Sequence, residues 1–225
     1  MTIGFRISER RITADPDLLA RAAQLPTANI GDVMNRMQAM RGSFYSFGGR
    51  RRVVGPALTV RARAGDNLLL HRAIDLAERG DVIVCDGGGE LSIALAGDLM
   101  ISHAARRGVA ALILDGAVRD AAAIAALDIG VWARGTTPAG PYKEGPGEIG
   151  YPISCGGQVV QPGDLIAADE DGVIVIPRAE AETVIRAAEA HAAKEASTTT
   201  AIAAGNWDRG WIGESLEAKG CVISR

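Results

Sequence analysis

Residues 80–120 read GDVIVCDGGGELSIALAGDLMISHAARRGVAALILDGAVRD, and this stretch decides the fold. Two apolar runs, Val82-Ile83-Val84-Cys85 and Ala111-Leu112-Ile113-Leu114, each end in Asp-Gly, at Asp86-Gly87 and Asp115-Gly116. A short run with no polar alternation predicts a strand buried on both faces, the habit of parallel sheets. Between the runs, a helical stretch is expected to lead to Gly97-Asp98, with a second helix over 99–107. After the second run, a helix over 119–127 precedes a third short strand, Val131-Trp132-Ala133. Strands alternating with helices predict parallel pairing and an α/β layered fold.

The flanks fit that frame. Upstream, apolar spacing predicts helices over 16–25 and 27–40, separated by Pro26 with Thr27 as N-cap. A Gly/Arg-rich loop follows at 41–52, then a strand at 53–63 and an amphipathic helix at 67–79 closed by Gly80. Downstream, residues 135–157 are rich in Gly and Pro and predict a loop or short irregular strands. Strands return at 158–160, 164–168 and 172–176, the last stopped by Pro177. An alanine-rich helix is expected over 179–203, and the tail 205–225 carries two of the three Trp. With no internal repeat and no dividing linker, residues 1–225 read as one domain.

Composition narrows the function. The 225 residues are 48% hydrophobic and 23% charged, so a sizeable core needs no disulfide or zinc staple. A net charge of −3 argues against a broad basic surface for nucleic acid. Aromatic residues at 4% argue against base stacking. No apolar run reaches membrane-spanning length and the start resembles no signal peptide. Cys85, Cys155 and Cys221 are isolated and form no CxxC pair, which predicts reduced thiols in the cytoplasm. With three His, three Cys and 27 carboxylates, any bound metal is expected to be a hard one.

Several candidate motifs fail on spacing. Gly87 and Gly89 fit part of G-x-G-x-x-G, but Ser92 occupies the third place and the next strand-end acid, Asp115, lies too far on. There is no P-loop sequence, no HExxH and no G-x-S-x-G elbow. His71, His103 and His191 read as helix-surface or half-buried residues. Two segments carry more. In Gly97-Asp98-Leu99-Met100, Asp98 either caps the following helix or, with the Leu99 and Met100 amides, offers an anion site at its positive end. In Val118-Arg119-Asp120, Arg119 and Asp120 sit just past a strand's carboxyl end, where open parallel sheets bind ligands. There they are either a surface pair or a cap, or else an oxygen ligand for a divalent ion beside a guanidinium that grips a carboxylate.

Together these segments resemble a known family. The stretches Gly65-Asp66-Asn67, Gly80 to Val84, Gly97-Asp98-Leu99, Ala110 to Asp120, Cys155-Gly156-Gly157 and Pro162-Gly163-Asp164 through Val173 are similar to the family of the RraA regulator of ribonuclease E and the class II pyruvate aldolases. The similarity covers roughly residues 25–200. It implies a β/β/α layered, swivelling-domain-like fold with a C-terminal helical tail. It also implies a homotrimer or hexamer with sites between subunits. By the same resemblance Asp120 holds Mg²⁺ or Mn²⁺, Arg119 and Asp98 are catalytic, and Gly97, Leu99, Met100 and Arg119 contact an oxo-acid substrate. Glu195 of a neighbouring subunit would lie near the metal. The implied reaction is retro-aldol cleavage of a 4-hydroxy-2-oxo acid to pyruvate, with oxaloacetate decarboxylation on the side. Two alternatives stand beside it: a non-catalytic regulator that binds an RNA-degrading enzyme, and a related hydroxy-acid lyase or decarboxylase. The Arg119-Asp120 pair favours the enzyme. The loop 136–150 and the tail 205–225 depart from the aldolase pattern and leave the substrate's identity open.

Overall fold

The computed structural model describes residues 3–10 and 12–222. Its strands are β1 (Phe5–Ile7), β2 (Tyr45–Ser46), β3 (Val53–Ala62), β4 (Val82–Ala96), β5 (Ala111–Val118), β6 (Gly130–Thr136), β7 (Gly147–Ile149), β8 (Ile153–Cys155), β9 (Gln158–Val160), β10 (Leu165–Asp169) and β11 (Gly172–Ile176). Its helices are α1 (Pro16–Ala22), α2 (Thr27–Val33), α3 (Leu68–Leu76), α4 (Asp98–Arg107), α5 (Ala121–Ala125), α6 (Ala181–Ala203) and α7 (Gly210–Ala218). Residues 1–188 and 189–225 form two compact units.

In the first unit the two apolar runs lie side by side. β4 and β5 pair in parallel from Val82↔Ala111 to Asp86↔Asp115. β3 joins β4 and β6 joins β5, also in parallel. Antiparallel neighbours complete the sheet: β7 and β10 on β3, and β2 on β6. The result is a mixed sheet in the order β1-β7-β3-β4-β5-β6-β2, with β10 and β11 branching from β3.

Strand alternation sorts the core into two layers. Ile83, Cys85, Leu112, Leu114, Val131 and Ala133 pack with Leu70 and Ile74 of α3 and Ile101 and Ala104 of α4. Their neighbours Val82, Val84, Ala111, Ile113 and Trp132 pack on the other face against Ile153, Val160, Ile166 and Val175. Helices on one face and a second β layer on the other make the β/β/α arrangement.

Three expected elements differ. The helical stretch before Gly97 is instead the second half of β4, an unbroken but bulged strand. Its register shifts between Asp86 and Glu90, Glu90 and Ala94, and Ala94 and Ala96. Gly88 and Gly89, both at φ 71°, make the first bulge, so the Gly run opens no helix and no dinucleotide turn. Leu95, fully buried, fills the space left at Gly87 and Gly116, where a methyl carbon would meet its Cδ1 at 2.5 and 2.7 Å. The helix expected over 27–40 stops at Val33, because Asn35 and Arg36 turn left-handed at φ 57° and 60°. Thr27 is not its N-cap; its amide and hydroxyl both donate to the buried carboxylate of Asp169, at 2.9 and 2.6 Å. The helix expected over 119–127 is the single turn α5.

α6 begins in the first unit, where Ala181, Ile185 and Ala188 are buried. Its later turns and α7 belong to the second unit. There the hydroxyls of Ser197, Thr198, Thr199 and Thr200 each donate to the carbonyl four residues back. Trp211 of α7 is exposed. No helix of the described residues is long and apolar enough to cross a membrane.

Candidate functional site

The carboxyl ends of β4 and β5 meet at one point. Ala96 and Val118 are register partners, and the Arg119 amide donates to the Ala96 carbonyl at 3.0 Å. This sets Arg119-Asp120 beside Gly97-Asp98, although the two dipeptides are far apart in the chain. Asp120 has φ 59° and ψ 35°, a left-handed conformation that side chains rarely adopt and Asp tolerates better than most. The turn it makes carries its carboxylate back over the end of β4. Asp120 Oδ2 lies 3.3 Å from Arg119 Nε and 3.4 Å from the Asp98 amide. Both contacts are long, and the Asp120 side chain remains 41% exposed.

Two glycines make room for Arg119. A methyl carbon at Gly97 would stand 2.6 Å from Asp120 Oδ2 and 2.9 Å from Arg119 Nε; one at Gly140 would stand 2.8 Å from Arg119 Nη1. The guanidinium therefore passes between two bare stretches of backbone.

A cleft of about 380 Å³ opens on this turn, lined by Gly97, Asp98, Leu99, Met100 and Arg119 together with Asn67, His71 and Lys143. A second cleft of about 380 Å³ touches Arg119 and Asp120 from the side of Thr136 and Thr137. Burial, followed by the nearby charge of Lys143, holds the His71 imidazole below its ordinary pKa, with Asp75 opposing. Arg119 and Lys143 around one carboxylate, Asp98, make a cleft suited to anions.

The structure thus brings Gly97, Asp98, Leu99, Met100, Arg119 and Asp120 together. Two details differ from expectation. Asp98 is the first helical residue of α4, not its cap; Gly97 holds the cap position and makes no side-chain bond. The Leu99 amide is taken by Asp98 Oδ1 at 2.8 Å, so it is not a free donor. Glu195 lies on α6 in the second unit, 3.5 Å from His191. Asn67, His71 and Lys143 carry no role in the sequence reading. His71 looks like any surface helix residue there, and Lys143 sits in an aperiodic Gly/Pro loop; only Gly65-Asp66-Asn67 stood out as a motif.

The donor chemistry at the turn suits a hard cation. It consists of carboxylate oxygens open to solvent, which leave places for water and substrate. The soft candidates are elsewhere: Cys85 and Cys155 are buried, and burial pushes both thiols far up.

The chain is similar to several known proteins. A family model described as RraA-like, Aldolase/RraA, matches residues 27–175. A Halalkalibacterium halodurans protein named "Putative 4-hydroxy-4-methyl-2-oxoglutarate aldolase" is 39% identical over 189 residues, covering 84% of this chain and 90% of that one. The structure of the RNA-processing inhibitor RraA from Thermus thermophilis is 36% identical, with TM-score 0.63, over 68% of this chain and 92% of that chain. The Streptomyces coelicolor protein RraAS2, described as an unusual member of the RNase ES inhibitor RraA family, gives TM-score 0.76 at 25% identity over 84% of this chain and 99% of that chain. The family model spans more than half of the chain and the aldolase relative is 39% identical over 84% of it, and on this ground the chain belongs to the RraA-like, aldolase/RraA family.

Proposed function

We propose that the protein is a divalent-metal-dependent carbon–carbon lyase. It would cleave a 4-hydroxy-2-oxo acid of the 4-hydroxy-4-methyl-2-oxoglutarate type to pyruvate and a second oxo acid, with oxaloacetate decarboxylation as a side activity. The observation that carries this reading is the Arg119–Asp120 pair, folded by the left-handed Asp120 against the Gly97-Asp98 turn. The aldolase relative supports the same class.

Asp120 would hold Mg²⁺ or Mn²⁺, with Glu195 of a second copy of the chain near it. When bound, the cation supplies Lewis-acid polarisation of the 2-oxo acid end. The chain's own residues do the rest. Arg119 presents a planar fork of donors to the substrate carboxylate or keto oxygen. Asp98 orients a water that takes the C4 hydroxyl proton. As the C3–C4 bond breaks, C4 becomes the carbonyl of the second oxo acid. The bonding pair stays with C3, giving the pyruvate enolate, and its growing negative charge lies beside Arg119. A proton returned to C3 completes pyruvate. Loss of CO₂ from oxaloacetate leaves the same electron pair on C3. Lys143 and His71 favour a substrate with further carboxylates.

The test is pyruvate release from a panel of 4-hydroxy-2-oxo acids and oxaloacetate with Mg²⁺ or Mn²⁺. Turnover is expected to stop with EDTA and in Asp120→Ala. No pyruvate from any of them, or turnover indifferent to EDTA, would overturn the reading. The likeness to RraA favours a second one, a regulator that binds an RNA-degrading enzyme. Its inhibition would survive both EDTA and Asp120→Ala. A lyase for a related hydroxy acid on the same site would show itself in the panel.

A further inference from the structure

Asp66 belongs to the Gly65-Asp66-Asn67 motif and is 1% exposed. Its carboxylate is shared among three amides. Oδ1 accepts from Leu68 at the start of α3, at 2.9 Å. Oδ2 accepts from Glu144 and Gly145, at 2.7 and 2.9 Å. Backbone bonds reinforce the same junction: the Asn67 amide donates to the Tyr142 carbonyl, and the Tyr142 amide to Gly65. Asn67 Nδ2 adds a bond to the Leu95 carbonyl at 2.9 Å, on β4 just before the Gly97-Asp98 turn. One dipeptide therefore ties together the first turn of α3, the loop 142–145 and the end of β4. These three pieces carry His71, Lys143 and Asp98 into the cleft.

We propose that Asp66 is a positioning residue, holding Lys143 and His71 in the cleft they share with Arg119 so that they receive a distal carboxylate of the substrate. The assignment deepens the lyase reading and rests on it for the identity of the ligand. Burial alone would raise the Asp66 pKa, but the three amides and the charge of Arg63 outweigh it and hold the group ionised. Only a carboxylate serves all three amides. An Asn side chain has one acceptor oxygen, and its NH₂ end would face an amide donor on one arm.

The test compares Asp66→Asn, Lys143→Ala and the double variant. For the hydroxy-oxo acid, Asp66→Asn is expected to raise KM about tenfold or more with kcat within about threefold, the signature of lost binding. The double variant should fall clearly short of the sum of the two single effects, because both changes act on the Lys143 contact. The second readout needs no turnover. His71 faces Lys143, Asp75 and His103. Removing Lys143, or letting its loop swing away, should raise the His71 pKa in an NMR titration, whereas loss of the Asp66 charge by itself would lower it. A His71 titration unmoved or lowered in Asp66→Asn overturns the proposal, as does full additivity with Lys143→Ala. If Asp66→Asn does not fold, hydrogen exchange in the unaltered protein decides: the Glu144 and Gly145 amides should be protected, and free exchange there overturns it. Absence of lyase activity with a raised His71 pKa would sink the lyase reading while leaving the positioning role in place.

Discussion

At the scale of the residue, Gly97 has an ordinary extended φ of −129°, so backbone strain does not demand glycine there. Space does, since a methyl group would collide with both Asp120 Oδ2 and Arg119 Nε. Gly97→Ala is thus a packing test of the Gly97-Asp98 turn. A displacement near 1 Å typically costs about 10²-fold in rate. We expect kcat/KM to fall about that much while the thermal midpoint moves by no more than a few degrees. Arg119→Lys keeps the charge but loses the planar fork; a loss of ~10²–10³ in kcat is expected in the pyruvate-release assay. The sequence made Arg119-Asp120 and Gly97-Asp98 visible because each pair is contiguous. Lys143 stayed hidden because nothing in its own neighbourhood marks it; it becomes meaningful only when Asp66 draws its loop to the cleft.

At the scale of the element, β4 separates what periodicity can and cannot read. Val82 to Cys85 announce a buried strand without ambiguity. Glu90 to Ala96 alternate too weakly to distinguish helix from strand, and their state is settled by β5, with which Ala94 and Ala96 pair. Leu95 anchors this half, seated where Gly87 and Gly116 have no side chains. Leu95→Ala should therefore cost about 2–5 kcal/mol of stability by urea denaturation, the usual range for a large-to-small change in a core. A cost near zero would mean that the bulged half of β4 is not packed as described. α2 gives the converse case: Thr27 looks like a local cap but is claimed by Asp169, a residue on a strand far along the chain.

At the scale of the whole molecule, buried carboxylates decide the acid response. Asp66 and Glu148 both have lowered pKa values. For Glu148, burial works upward and is outweighed by the Gly4 amide and by Arg6 and Arg61. A carboxylate whose folded pKa lies below its unfolded value of about 4 adds stability above that value, and this is lost as pH falls through the folded pKa. Asp86 runs the other way: burial raises it, and Asp115 raises it further, so it offsets part of the loss on acidification. The urea midpoint should stay nearly level from pH 7 to 5 and drop below about pH 4. In Glu148→Gln that drop should shrink, together with a lower midpoint at pH 7.

The sequence by itself determined the alternation of strands and helices, the glycine turns and the Arg119-Asp120 pair. These are set by residues next to one another, through apolar spacing and backbone freedom. Only the tertiary structure decided that β4 runs on through its bulges, that Asp120 folds back over Gly97, and that Asn67, His71 and Lys143 line one cleft with Arg119. Each of these rests on strand register and on hydrogen bonds between distant segments, whose energies exist only once the sheet has closed.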